Sequence, residues 1–287
     1  MTKETLQTNL QNSSTNIIRQ KWLDFFQQKD YYQIEPASLI PQNDPSLLWI
    51  NSGVAALKKY FNNPALAHSK NMVNMVNCQR VIRTDDLANI TQHSYHQTLF
   101  EMLGVFSIGG NFKPETIPYF WEFFTSPKWL GLEPKRLFIT VYREDADTYK
   151  LWKEQKGILH ENILYGSKKT NVWDMGGDNS PWGYNTEIYY DFQTNKDVPK
   201  KADDLDNKRF LEICNIVFPE FYHQGDDNLP LKEKCVDVGG GLERIAMVVQ
   251  SKKNTFEIDL WEPAIQLIEQ RYNEKTKAEG WPQGENK

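Results

Sequence analysis

The most informative stretch of the sequence reads Asp237-Val238-Gly239-Gly240-Gly241-Leu242-Glu243-Arg244. Its apolar start is typical of a short strand, and the three glycines predict a turn that leads into a helix. Glycines let the backbone approach a ligand closely, and a helix N-terminus favours anions. With Arg244 in the first helical turn, the stretch indicates a polyphosphate site, but it fits a glycine-rich turn with a solvated arginine equally well. It is not a Walker loop, because Gly-Lys-Ser/Thr is missing.

Apolar segments upstream of this stretch predict a sheet. Strand-like segments occupy residues 72–82, 98–106, 136–142, 186–191, 210–218 and 235–238, and helical patterns occur at 118–124, at 145–156 and beyond Leu242. The strands outnumber the helices that could cross between them. The sequence therefore predicts an α+β fold with a mainly antiparallel sheet flanked by helices, rather than a doubly wound parallel sheet.

Two segments outside the sheet also have clear patterns. Apolar residues at helical spacing predict an amphipathic helix near the N-terminus, with Ile18, Trp22, Phe25 and Phe26 on one face. Three hydroxyl residues offer caps before it, Ser13, Ser14 and Thr15. Residues 192–208 are polar and charged, and we interpret them as a mobile surface insertion.

Composition argues against several classes of protein. An apolar fraction of 39% over 287 residues is enough for a sizeable core, and no apolar run approaches the roughly 20 residues of a membrane span. We therefore expect a soluble protein with no membrane partner. Cys78, Cys214 and Cys235 form no Cys-x-x-Cys pair, so neither a disulfide framework nor a cysteine zinc site is indicated, and a cytoplasmic location fits.

Charge and histidine content limit the possible ligands. The net charge of −5 argues against a general nucleic-acid coat, because such binding neutralises many phosphates with lysine and arginine. RNA remains possible as a substrate, since a local basic groove would suffice. His93 and His96 lie three apart without a further ligand set, so we interpret them as polar surface or loop residues rather than as a metal pair.

A second candidate site joins two predicted strands. The first ends in Cys78-Gln79-Arg80-Val81-Ile82-Arg83, and after a polar turn the next carries Phe100-Glu101-Met102-Leu103-Gly104. Antiparallel strands could hold an arginine over a phosphate and an aromatic face beside a base. On pattern alone, a solvated Arg83 with Phe100 and Met102 in the core is the better interpretation.

Two further stretches mix polar and apolar residues. Residues 173–183 concentrate Gly, Pro, Asn and Trp, which predicts a structured loop before the strand at 186–191. Residues 212–218 place Glu212 and Asn215 among apolar residues, at a spacing suited to an inward-facing site. The alternatives are a turn around a buried tryptophan and a satisfied core asparagine.

Taken in order, these stretches resemble the catalytic domain of the alanyl-tRNA synthetase family, which belongs to class II, from about residue 19 to residue 268. Residues 43–53, beginning Asn43-Asp44-Pro45-Ser46, are similar to its first motif region, residues 79–104 to its second and residues 237–244 to its third. Trp173 and residues 186–191 and 212–218 are similar to stretches that distinguish the alanine enzymes. The resemblance implies one aminoacylation domain at 1–255 and the start of a C-terminal helical region at 256–287.

The resemblance also implies roles for individual residues. Arg83 would hold the α-phosphate of ATP and Arg244 the γ-phosphate, both as catalytic residues, with Phe100 and Met102 bordering adenine and Gly241 in the same ATP site. Asp237 would pair with the ammonium group of alanine. The rest of the alanine site would comprise Trp173, Asn215, Val217 and Gly239, and Glu212 would help to place Mg²⁺.

The implied activity is ATP-dependent conversion of L-alanine to alanyl-adenylate, followed by transfer to the 3′ end of tRNA(Ala). This makes ATP, L-alanine and tRNA(Ala) the expected ligands and Mg²⁺ the expected cofactor, with no zinc expected in this chain. A monomer is favoured without a C-terminal oligomerising tail.

Several positions depart from the family pattern. The turn at residues 84–89 is shorter than usual and lacks Gly-Gly-Lys, and Trp182-Gly183-Tyr184-Asn185 stands where Cys-Gly-Pro-Cys is common. Two other functions therefore stay open at this point. One is a synthetase-like paralogue that activates an amino acid for a non-tRNA acceptor, and the other is a non-catalytic module with a decayed site.

Overall fold

The computed structural model describes residues 13–42, 47–90, 92–174, 181–193, 197–205, 208–224 and 227–279. Within these residues the centre of the fold is a sheet of ten strands. They are β1 (Tyr32–Gln33), β2 (Asn74–Ile82), β3 (Leu99–Ile108), β4 (Leu137–Tyr142), β5 (Ile163–Gly166), β6 (Val172–Asp174), β7 (Pro181–Asp191), β8 (Phe210–Gln224), β9 (Asp227–Pro230) and β10 (Cys235–Gly241).

The order across the sheet is β1-β2-β3-β10-β8-β7-β4-β5, with β6 paired to β7 and β9 paired to β8. The β1/β2 and β4/β5 pairs are parallel and all the other pairs are antiparallel. The predicted α+β fold, with a mainly antiparallel sheet flanked by helices, is confirmed.

The helices of the described residues vary widely in length. They are α1 (Thr15–Gln27), α2 (Lys58–Asn62), α3 (Pro64–Ser69), α4 (Lys113–Thr125), α5 (Ala146–Lys153), α6 (Lys168–Asn171), α7 (Leu242–Val249) and α8 (Glu262–Glu279). Short 3₁₀ turns occur at Val54–Leu57, Thr84–Asn89, Pro134–Arg136, His160–Asn162, Ala202–Asp204 and Thr255–Glu257.

The N-terminal helix packs as its apolar spacing predicts. The Ser14 side chain caps α1 by accepting a hydrogen bond from the Ile17 backbone N–H at 3.3 Å. Trp22 is fully buried and meets the ring of Phe123 of α4 edge-on at 5.2 Å. Rings of this size contribute most of the area buried in a core, so α1 and α4 form a large aromatic layer on one face of the sheet.

The glycine stretch differs from the prediction. Gly239, Gly240 and Gly241 do not form a turn but continue β10, which pairs with β3 on one side and with β8 on the other. Gly239 instead allows the backbone of β10 to lie close to a side chain of β3, because a Cβ at this position would lie 3.0 Å from the sulfur of Met102. Gly241 is the N-cap residue of α7.

Two strands are longer than predicted. β7 begins at Pro181 rather than at 186, and β8 runs through Pro219 to Gln224. The pairing between them shifts register between Trp182 and Gly183, where Gly183 lies opposite Pro219. A β-bulge is a position that tolerates proline in a strand, so Pro219 does not end β8 as its sequence suggests.

Parts of the predicted insertion at 192–208 contact the sheet. The guanidinium of Arg209 donates to the Asp191 carboxylate at 2.9 and 2.7 Å and to the Asp197 carbonyl at 2.8 Å. Ala202 is buried in the 3₁₀ turn. Residues 194–196 and 206–207 lie outside the described residues, and the mobility of this stretch stays a prediction.

The apolar residues of the C-terminal part become more exposed along the chain. Ile258 is fully buried, whereas Leu267, Ile268 and Tyr272 of α8 are each more than half exposed. The proposed boundary between 255 and 256 stays a prediction, and residues 280–287 lie outside the described part of the chain. Within the described residues, no helix has the length and apolar character needed to cross a membrane.

Candidate active site

A cavity of about 200 Å³ lies where β3, β10 and β8 run side by side, and it contains every site residue predicted from the sequence. These residues are Arg83, Phe100, Met102, Trp173, Glu212, Asn215, Val217, Asp237, Gly239, Gly241 and Arg244. Ser52, Gly53, Val54 and Ile213 complete the lining. Residues 43–46 of the first motif region and residues 175–180 of the predicted loop lie outside the described residues.

Strand alternation determines which side chains line the cavity. In β10, Val236 and Val238 are fully buried in the helix-side core, whereas the alternate residues Asp237 and Gly239 line the cavity. The neighbouring strands follow the same rule, since Met102 of β3 lies opposite Gly241. The candidate ligand-binding residues of these strands therefore share the face opposite the helix-side core.

One part of the cavity carries two guanidinium groups, each over an aromatic ring. Arg83 follows β2 directly, donates from Nε to the Asn51 carbonyl at 2.9 Å, and lies 5.5 Å from the ring centre of Phe100. Arg244, in the first turn of α7, lies 4.8 Å from the ring centre of Tyr95. Two such groups can neutralise charge that is spread over a phosphate chain. The aromatic rings hold the guanidinium groups in position.

Glu212 fixes one edge of Arg244. Its backbone carbonyl and its carboxylate accept from Nη1 at 3.1 and 3.2 Å. Because both bonds go to the same nitrogen, the remaining guanidinium nitrogens are left for other acceptors in the cavity.

Asp237 supplies a buried carboxylate to the same cavity. Its side chain is only 9% exposed, and burial raises its pKa to about 7. No hydrogen-bond donor in the described ranges reaches this carboxylate. A carboxylate in such surroundings gains strongly from a cationic partner, so the position suits a ligand ammonium group.

A polar network lies behind Asn215. Its side chain accepts from Asn185 at 3.1 Å and donates to Glu187 at 3.4 Å, and Glu187 also accepts from Tyr189 at 3.0 Å. Burial, and next the charge of Glu212, raise the pKa of Glu187. Asn215 is thus held by hydrogen bonds and also lines the cavity. It is therefore both a hydrogen-bonded core asparagine and a residue of the candidate site, the two interpretations that its sequence pattern allowed.

The apolar wall comes from two strands. Val217 of β8 is buried, and Trp173 of β6 is half-buried and pairs with Gly183 of β7. Gly183 has no room for a side chain, because a Cβ there would overlap the carbonyl oxygen of Phe218. Gly183 therefore packs tightly on β8, and Trp173, which pairs with it, lines the cavity.

Few protein groups could hold a metal ion here. Glu212 is 33% exposed, lines the cavity and accepts from Arg244, so one carboxylate lies beside the arginine. Mg²⁺ is usually held by one or two carboxylates together with substrate phosphates, and this donor set fits it. In the described part of the chain, no group of three or more His, Cys, Asp or Glu side chains could hold a metal ion.

The sequence missed two contributors, Glu187 and Tyr95. His93 and His96 lie in the predicted loop, but their Nδ1 atoms are 2.9 Å apart and both rings contact Tyr95, which lies beside Arg244. A glutamate within an apolar strand was the one available signal for Glu187. Nothing in the linear pattern indicates that Tyr95 contacts Arg244, because that contact depends on how the loop folds back.

Comparison with known proteins identifies the family of the chain. Residues 17–283 match the family described as tRNA synthetases class II (A). The alanine–tRNA ligase of Mycoplasma capricolum is 45% identical over 270 residues, which cover 92% of this chain and 30% of that protein. The alanine–tRNA ligase of Enterococcus faecalis is 42% identical over 259 residues, covering 88% of this chain and 28% of that protein.

The chain thus spans less than a third of the relatives that it matches. Among solved structures, apo histidyl-tRNA synthetase from S. aureus is similar with a TM-score of 0.50 at 12% identity, covering 90% of this chain and 70% of that one. At this identity the likeness concerns the fold alone. From the match over residues 17–283, we conclude that the chain belongs to the class II (A) tRNA synthetases.

Proposed function

We propose that this chain converts L-alanine and ATP to alanyl-adenylate and transfers the alanyl group to tRNA(Ala). One observation carries the proposal: a single cavity joins two arginines, Arg83 and Arg244, to the buried carboxylate of Asp237. Phosphates and an ammonium group are the complementary ligand groups, and alanine with ATP supplies both. The curated relatives named above are alanine–tRNA ligases.

In the activation step, an oxygen of the alanine carboxylate attacks the α-phosphorus. A new P–O bond forms on one side as the bond to pyrophosphate breaks on the other. Arg83 neutralises the α-phosphate and Arg244 the γ-phosphate, and both stabilise charge that spreads over the phosphoryl oxygens. When bound, Mg²⁺ would neutralise further phosphate charge, with Glu212 as its protein ligand.

Substrate position supplies the rest of the catalysis. Asp237 fixes the ammonium group, Trp173 and Val217 enclose the methyl group, and Phe100 and Met102 border adenine. No protein nucleophile is needed, because the substrate carboxylate is the nucleophile and the site only has to align it. In the second step, a terminal ribose hydroxyl of tRNA attacks the alanyl carbonyl and AMP leaves.

The decisive experiment measures alanine-dependent exchange between pyrophosphate and ATP, followed by transfer of labelled alanine to tRNA(Ala). Exchange and charging together are the expected result. Exchange without charging would instead favour a non-tRNA acceptor. Absence of both exchange and ATP binding would indicate a non-catalytic module.

The proposal includes the setting of the reaction. We place the protein in the cytoplasm as a monomer that uses ATP with Mg²⁺. The cytoplasmic location is supported by the free thiols of Cys78, Cys214 and Cys235. Light scattering would test the monomer, and exchange assays with and without Mg²⁺ would test the ion.

A further inference from the structure

The face of the Arg244 guanidinium is covered by one aromatic side chain that the proposed mechanism does not use. Tyr95 lies in the loop between the 3₁₀ turn Thr84–Asn89 and β3, with its ring centre 4.8 Å from the Arg244 Cζ. Glu212 holds only the Nη1 edge of the same group. The guanidinium is therefore restrained in two directions, by a carboxylate in its plane and by a ring across its face.

Tyr95 itself packs against two histidine rings. Its ring stacks on His93 at 5.5 Å with an interplanar angle of 13°, and it packs on His96 at 4.5 Å. The two imidazoles share one short contact, 2.9 Å between their Nδ1 atoms, so one donates and the other accepts. This arrangement of three rings leaves Tyr95 little freedom to turn away from Arg244.

The loop is anchored to the chain beyond α7. The carbonyl of Ser94, next to Tyr95, accepts from the backbone N–H of Thr255 at 2.9 Å and from its hydroxyl at 3.3 Å. Thr255 is fully buried. Both ends of the contact between Tyr95 and Arg244 are thus tied to the same part of the fold, since α7 ends only a few residues before Thr255.

We propose that Tyr95 is a positioning residue that preorganises the Arg244 guanidinium for the ATP phosphates, an inference that rests on the proposed function. A guanidinium over an aromatic face is attracted by the ring quadrupole. An arginine that is already ordered loses less side-chain freedom when a ligand binds. Burial raises the pKa of Tyr95, so the ring remains a neutral phenol beside the cation.

The test compares ATP binding, measured by calorimetry without alanine, in variants at position 95. Tyr95→Leu removes the ring and is expected to weaken ATP binding by about 3- to 10-fold, which corresponds to the cost of ordering one long side chain. Tyr95→Phe keeps the ring and should restore wild-type affinity. Tyr95→Met, which keeps volume without a ring, replaces the leucine variant if that variant fails to fold.

A double-mutant cycle separates positioning from general packing. In an Arg244→Ala background, Tyr95→Leu should have no further effect on ATP affinity, because the group that it positions is gone. Tyr190→Leu is the matched control, since its ring lies 5.5 Å from Arg136 and neither residue lines the cavity.

Two results would overturn the inference: unchanged ATP affinity in Tyr95→Leu, or an equal loss in both backgrounds. The proposed function fails separately, by absent alanine-dependent exchange in a wild-type protein that still binds ATP.

Discussion

Arg83 and Arg244 come from distant parts of the chain and meet in one cavity, each beside a different aromatic ring. A cation that is fixed before the substrate arrives needs no reorganisation as charge develops, which is the main source of electrostatic catalysis. The contribution of each arginine should therefore appear in the rate of the chemical step and not only in substrate affinity.

We expect Arg83→Ala and Arg244→Ala each to lower alanine-dependent pyrophosphate exchange by roughly 100-fold or more. Arg271→Ala is the control, because Arg271 is exposed on α8 and pairs only locally with Glu274. Circular dichroism should show that all three variants are folded. Near-normal exchange in both cavity variants would contradict the site assignment.

The proposed ligand-binding role of Asp237 comes with a cost to stability. Its pKa of about 7 in the folded protein lies above the value near 4 of an unfolded chain. The folded state therefore binds more protons between these values, so stability falls as the pH rises through this range. Asp237→Asn should raise the free energy of unfolding at pH 8 by up to about 4 kcal/mol and change it little near pH 4.

The same substitution should impair alanine use. Asn keeps the size of the side chain but removes the charge opposite the ammonium group, so the KM for alanine should rise by about 10- to 100-fold with little change for ATP. In the wild type, kcat/KM for alanine should fall as the pH drops below about 7, because only the ionised carboxylate binds a cation. An unchanged alanine dependence in the variant would place the amino group elsewhere.

The sequence predicted cavity residues well where they fall in short runs, and poorly elsewhere. Arg83, Asp237 and Arg244 lie in or beside motif segments, so order along the chain was enough to group them. Glu187 and Tyr95 enter the site through strand pairing and through a loop contact. Neither contact has a fixed spacing in the sequence, so Glu187 was marked only as a glutamate within an apolar strand, and Tyr95 was not marked at all.

At the scale of the elements, β10 explains why glycines occur together near the site. Gly239 lies opposite Gly104 and packs closely on the Met102 side chain, whereas Gly240 faces the helix side near Ile245 and Trp22. A strand with close neighbours on both faces requires glycines, and a run of glycines is also typical of a turn. The turn prediction was wrong for this reason, while the predicted start of a helix at Leu242 was correct.

Gly239→Ala should therefore disturb the site more than Gly240→Ala. A Cβ at position 239 would lie 3.0 Å from the Met102 sulfur, whereas at position 240 the nearest atoms are 3.5 Å away, an ordinary contact. Displacement of Met102 should raise the KM for ATP by about 3- to 10-fold, as expected for a cost of about 1 kcal/mol. Similar ATP kinetics in both variants would contradict the close packing of Gly239 on Met102.

The apolar wall formed by β6 and β8 sets a limit on selectivity. Trp173 and Val217 present mainly apolar surface, and an apolar pocket rejects an added hydroxyl by only about 1 to 3 kcal/mol. Serine should therefore support exchange at roughly 10- to 200-fold lower kcat/KM than alanine. Valine, which is too large for the wall, is the control. Absence of serine-dependent exchange would show that another group discriminates.

For the whole molecule, the start of α1 meets the segment that follows α7. Asp259 accepts from the Thr15 backbone N–H at 3.1 and 3.0 Å, from the Thr15 hydroxyl, and from Gln250 at 2.6 Å. The segment after α7 thereby locks α1 against the sheet. This contact joins residues separated by almost the whole sequence, so neither periodicity nor motif order could predict it.

Asp259→Ala tests how far this contact stabilises the fold. It leaves the Thr15 N–H and the Gln250 amide without their acceptor, so the free energy of unfolding at pH 7 should fall by about 2 kcal/mol. Burial acts to raise the pKa of Asp259, but hydrogen bonds from Thr15 and Gln250 outweigh it and the pKa is lowered. The contribution is therefore present above the unfolded value near 4 and is lost as the pH falls through the folded value. Denaturant unfolding should show a large difference between the variant and the wild type at pH 7 and a small difference at pH 3.

Asp24→Ala, which removes only an exposed hydrogen bond to Gln20 within α1, is the control. Equal losses in the two variants, or a loss that does not depend on pH, would show that α1 is held by its aromatic packing alone.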